Sequence, residues 1–171
     1  MASGITYQRG DWIVHKHYGV GQIKGMEQRS ISGETMQYCR ICADNSTFWV
    51  PMDMLDQHLR PLVTKIECRE IMQILQRPPR QMHRNFRQRQ NRIREVQKSD
   101  SLLDMARLIR DLEARSTHTN LNGTEQSALR EMKRRFLAEW RTSMGYDEGE
   151  AKKRLSAILN FDDEPAPYQH N

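Results

Sequence analysis

The period of the apolar pattern changes once along this chain, near residue 63, and that change limits its fold more than anything else in the 171 residues. Up to Leu62 short runs rich in β-branched and aromatic residues are interrupted at close intervals by turn residues, the texture of a small all-β unit. The spacing predicts strands at 12–15, 20–29, 36–43 and 47–50, with a short fifth at 59–62. Tyr18-Gly19 joins the first two, Ser32-Gly33-Glu34 makes a hairpin turn and Asp44-Asn45-Ser46 makes another. Five short strands in so little chain predict a small, strongly bent β-barrel, because an open sheet of that size leaves its edges exposed.

After Leu62 the period is helical. Thr64 and Glu67 form a capping box, and Cys68, Ile71, Met72 and Leu75 follow at i, i+3, i+4 and i+7 until Pro78-Pro79 forbids continuation, so this helix ends near Gln76. A second helix is expected over 82–97, with a sparse stripe of Met82, Phe86, Ile93 and Val96 and a broad basic face. The third covers 101–115 and turns Leu102, Ala106, Ile109 and Leu112 inward. Asn122, answered by Glu125, caps a fourth with Leu129, Met132, Phe136 and Trp140 on its stripe and Gly145 as its stop; Asp147 and Glu150 open a fifth through Leu159. The chain therefore reads as α+β, with a β-barrel domain over 1–62, a compact domain of about five helices over 63–160, and a disordered acidic tail over 161–171.

A chain this long can bury roughly 70% of its unfolded surface. With 37% of residues hydrophobic and 29% charged, the apolar positions must be gathered on faces. No run approaches the roughly 18 apolar residues of a spanning helix, and the N-terminus lacks a basic-then-apolar leader, so the expected location is the cytoplasm, with no membrane contact. Three cysteines, an odd number, read as reduced thiols. Cys39 and Cys42 form a C-x-x-C pair, but positions three apart on a strand face opposite ways and Cys68 stands alone, which favours packing over zinc. His15 and His17 lack the carboxylates that would complete a ligand set. No G-x-S-x-G, phosphate-loop, dinucleotide or H-E-x-x-H motif is present. The expectation is a protein with no catalytic residue, cofactor or metal.

The net charge of +5 is unevenly spread. Residues 1–66 carry 7 basic and 6 acidic side chains, whereas residues 67–115 carry 12 and 7. Of the 27 basic residues 20 are Arg, the planar, weakly hydrated cation suited to phosphates and narrow grooves. A charge run is often only a solvated helix face. Here, however, Asn85 and Phe86 sit among Arg84, Arg87 and Arg89, and Arg for phosphates, Asn for a base edge and an apolar wedge is the equipment of a minor-groove binder. The bland alternative makes Phe86 a core residue beside Met82 and Ile93.

The segment Arg9-Gly10-Asp11-Trp12-Ile13-Val14-His15, followed by His17-Tyr18-Gly19-Val20-Gly21-Gln22-Ile23, closely resembles the opening of the CarD/CdnL family of bacterial transcription regulators, a domain type shared with transcription-repair coupling factor. The resemblance continues through Ile31-Ser32-Gly33-Glu34, Val50-Pro51-Met52-Asp53, Leu59-Arg60-Pro61-Leu62, Leu108-Ile109-Arg110-Asp111-Leu112 and Leu121-Asn122-Gly123-Thr124-Glu125. It implies a Tudor-like barrel that docks on the RNA polymerase β subunit and a helical domain that touches promoter DNA at the upstream edge of the bubble. The family's Asn-Trp wedge pair falls on Asn85 and Phe86, with Phe in place of Trp; Arg29 matches an arginine used in polymerase contact, and Trp49 falls at a second, often basic, contact position.

The resulting expectation is a non-enzymatic regulator, monomeric when free, that binds polymerase through Arg29 and Trp49 and promoter minor groove and phosphates through Asn85, Phe86, Arg84, Arg87 and Arg89, stabilising the open complex. The alternative is a general nucleic-acid-binding protein that stacks bases on Trp12, Tyr38, Phe48 and Trp49 without polymerase.

Overall fold

The computed structural model describes residues 5–160, so the acidic tail lies outside the described residues. The chain forms two compact units that part between Leu62 and Val63. No described helix is long and apolar enough to cross a membrane.

The first unit is a single antiparallel sheet of β1 (Trp12–His15), β2 (Gly19–Ile31), β3 (Glu34–Ala43), β4 (Ser46–Pro51) and β5 (Leu59–Pro61), ordered β4-β3-β2-β1-β5. The hairpin turn between β2 and β3 takes positive φ at Ser32 and Gly33 (56° and 89°), which extends β2 past the expected end at Arg29. The pairing of β2 with β3 slips between Ile23 and Gly25, a bulge that bends the long hairpin. At Gly21 the sheet is so close that an added Cβ would lie 2.7 Å from the Ile41 side chain.

The recorded ladder does not join the edge strands β4 and β5. They are connected instead by a short 3₁₀ turn (Met52–Met54) and the one-turn α1 (Leu55–His58), whose Leu55 closes a core of Ile13, Ile23, Cys39, Ile41, Phe48 and Val50. The helical connection covers the apolar face that a fully hydrogen-bonded barrel would enclose by itself. Cys39 is buried in this core while Cys42 faces the other way, against the Thr47 hydroxyl. Burial pushes the Cys39 thiol up to about 11.

The second unit packs α2 (Lys65–Leu75), α3 (Phe86–Ser99), α4 (Leu102–Ser116), α5 (Gly123–Met144) and α6 (Glu148–Leu159) around one core that includes Cys68, Leu75, Met82, Ile93, Leu108, Met132 and Phe136. Both expected capping boxes form, Thr64 with Glu67 and Asn122 with Glu125. Ser101 and Asp147 cap α4 and α6, and Gly145 ends α5 in the left-handed region at φ 77°.

The second helix differs from expectation at its start. Met82 is buried, as an apolar stripe residue should be, yet the helix begins only at Phe86 because the Asn85 side chain accepts the N–H of Arg87 and caps it there. Residues 82–85 precede it as non-helical chain anchored in the core by Met82 alone. Of the expected stripe, Met82 and Ile93 are buried and Phe86 is exposed, and Met82 lies before the helix, since one buried residue beside a helix mimics its stripe.

Candidate functional site

Two exposed surfaces carry the residues singled out by sequence, one on each unit. On the sheet, register decides which side chains meet. Glu27 pairs with Tyr38, Arg29 with Met36, and Arg40 with Trp49. Alternation then puts Glu27, Arg29, Tyr38, Arg40 and Trp49 on the face opposite the core. Arg29 and Trp49, 20 residues apart in sequence, come together here: the Arg29 guanidinium carbon lies 4.0 Å from the centroid of the Trp49 ring. The Trp49 indole N–H donates to the Glu27 carboxylate, which also stands 3.7 Å from Arg40. A cation on an indole face is worth about 0.5–1 kcal/mol when exposed. The cluster therefore presents an oriented positive charge beside apolar surface.

The aromatics of the alternative reading do not form one stacking platform. Trp12 and Trp49 are exposed, but Phe48 points into the core, where its ring packs against His15 and Tyr18. His15 is also interior: its Nδ1 accepts the N–H of His17 and of Tyr18, and its ring stacks on His58. That nitrogen is already occupied by two donors.

On the helical unit the site is the first turn of α3. Phe86 is 46% exposed, whereas Met82 and Ile93 are buried, so Phe86 is not a core residue. Arg84 and Arg87 are exposed on either side of it. Asn85 is exposed as well; its side-chain oxygen is committed to the cap while its backbone N–H donates to His83 Nδ1 at 2.9 Å. The first turns of α2, α4, α5 and α6 all carry acidic residues, as the helix dipole favours. That of α3 carries none and is basic instead. Cations at the positive end of a helix work against its stability, and together they make a locus of positive potential that suits an anion.

Arg89 corrects the sequence reading. Expected as a DNA contact, it is buried: its Nε donates to Glu125 at 2.5 Å, and its Nη1 donates to the carbonyls of His83 and Arg84 at 2.9 and 2.7 Å. Its guanidinium is spent on fastening residues 83 and 84 to the start of α5. A second interior carboxylate, missed in the sequence, is Asp111 on α4: it accepts Arg92 at 2.5 Å, Arg110 at 2.8 Å and the backbone N–H of Arg80 at 2.9 Å. The one signal for it was the adjacent charged pair Arg110-Asp111 between the apolar Leu108, Ile109 and Leu112.

A family model described as the CarD-like/TRCF RID domain matches residues 7–63, and one described as the CarD C-terminal domain matches residues 70–156. The chain belongs to the CarD-like family. The two matches fall one on each compact unit. Membership makes this a transcription-related, RNA polymerase-binding protein, and CarD family domains are non-catalytic regulators.

Proposed function

We propose that this CarD-like protein binds the β subunit of RNA polymerase through the outer sheet face around Arg29 and Trp49, and that the start of α3 contacts promoter DNA at the upstream edge of the bubble, stabilising the open complex. It acts as a monomer in the cytoplasm, reaching the nucleoid with polymerase, and performs no catalysis. The observation that carries the DNA half is the exposure of Phe86, 46%, at the head of a helix whose first turn has no acid. An aromatic that leans on a partly unstacked base step binds the opened DNA better than the closed duplex, and a ligand shifts an equilibrium only through such a difference. Arg84 and Arg87 supply phosphate contacts that position it, and the Asn85 amide nitrogen can reach a base edge or sugar. Phe offers a smaller stacking face than Trp and no ring N–H, so its wedge is the weaker one.

The test is open-complex lifetime under heparin challenge. Phe86→Ala should shorten it by about 1–3 kcal/mol, the worth of one base–aromatic stack, and Phe86→Trp should lengthen it. Both variants should melt with the parent protein, because an exposed ring leaves no cavity. An unchanged lifetime in Phe86→Ala rejects the wedge.

A further inference from the structure

The helical unit also holds a cleft of about 170 Å³ that none of the surfaces above includes, lined by five arginines, Arg77, Arg80, Arg92, Arg107 and Arg110. They come from three places in the chain: the Pro78-Pro79 connection after α2, the middle of α3, and the middle of α4. The interior acid beside them is Asp111, 1% exposed, which takes Nη2 of Arg92 and both Nε and Nη2 of Arg110. Among the described residues Arg107 pairs with Asp104 at 3.2 Å, and both side chains of that pair are partly in solvent. Arg77 and Arg80 have no side-chain partner among the described residues, although the Arg80 backbone is pinned to Asp111. Five guanidinium groups thus surround a space that contains far fewer negative charges.

We infer that this cleft is a binding site for a small phosphoanhydride anion, of the kind carried by inorganic pyrophosphate or by a nucleoside di- or triphosphate. Each guanidinium presents a planar fork of N–H donors matched to phosphate oxygens. Arg92 and Arg110 are already oriented by Asp111, and Arg110 is further tied to the Ile74 carbonyl at 3.1 Å, so little side-chain freedom is lost on binding. Proline on the rim keeps Arg77 and Arg80 on a stiff connection. The size is also suitable: a cavity of roughly 150 Å³ is enough to take a benzene-sized molecule. A backbone phosphate of a duplex brings a single charge to any one point and belongs to a convex surface, whereas a phosphoanhydride brings several charges into one concavity.

Calorimetric titration of the full chain with inorganic pyrophosphate, without divalent metal, tests this beside orthophosphate and a short DNA duplex. Pyrophosphate should bind markedly tighter than orthophosphate. The double variant Arg77→Ala, Arg80→Ala should keep its fold and weaken pyrophosphate by about tenfold or more, one charge-assisted hydrogen bond being worth about that factor. Lys152→Ala with Lys153→Ala removes the same charge from α6 and should leave pyrophosphate binding unchanged. The proposal fails if pyrophosphate does not bind, or if the α6 variant loses as much. It fails equally if the duplex competes with pyrophosphate and weakens in parallel in the Arg77, Arg80 variant, which would assign the cleft to the DNA backbone.

Discussion

Arg84, Arg87 and Arg89 look alike in a row of letters and are chemically different in the fold. Arg84 and Arg87 are exposed, while Arg89 is 7% exposed and bridges Glu125 to two backbone carbonyls. Truncating Arg89 removes the close cation from a carboxylate that is 1% exposed, leaving it the Asn122 backbone N–H at 3.1 Å and Arg115 at 3.6 Å. Breaking such a pair from one side costs about 3–5 kcal/mol, whereas removing a surface charge changes stability by about 0.5 kcal/mol or less. Urea unfolding should therefore show Arg89→Ala strongly destabilised and Arg84→Ala and Arg87→Ala close to the parent. An Arg89→Ala protein as stable as the other two would put Arg89 back on the surface. This distinction was not legible in sequence: a charge is exposed by default, and the partner of Arg89 lies 36 residues downstream.

Elements were legible where a local rule sufficed. The stripe of α2 and the two capping boxes follow from residues within one or two turns, and so did the turns at Gly33 and Gly145. What escaped was of two kinds: the late start of α3, where the Asn85 cap competes with the buried Met82 for the helix boundary, and features set by pairing between distant segments, such as the meeting of Arg29 with Trp49. The β1-to-β2 connection shows how such pairing sets chemistry. There His15 is buried and accepts two backbone N–H groups, and burial first, then His58, His17 and Lys16, lower its pKa from 6.5 to about 4. The unfolded chain thus takes up this proton at a higher pH than the folded sheet does. The His15 contribution is fully present above pH 6.5 and is lost as pH falls from there through 4. Denaturation midpoints across that window should fall with acid in the parent and less steeply in His15→Gln; equal slopes would show that His15 is not the group responsible.

Taken across the chain, the charge divides along the same line as the two tasks proposed above. The first 66 residues are close to neutral, while residues 67–115 carry 12 basic and 7 acidic side chains. A protein partner and a polyanion can thus be addressed by separate units. Arg29→Glu should abolish co-purification with polymerase, since like-charge juxtaposition at an interface can cost several kcal/mol, while free-DNA binding and its salt dependence stay unaltered. If about four phosphates are engaged, log affinity should fall with log salt at a slope near −3.6 in both proteins. Retention of Arg29→Glu on polymerase would remove the sheet cluster from the interface. The tie between Arg89 and Glu125 has a mechanical meaning as well. A ring that props apart stacked bases bears a load, and a lever on a slack loop would yield before the bases did. In the wedge proposed above, the tie of residues 83 and 84 through Arg89 to the first turn of the 22-residue α5 would pass force on Phe86 into the longest helix among the described residues, whose packed length would resist it.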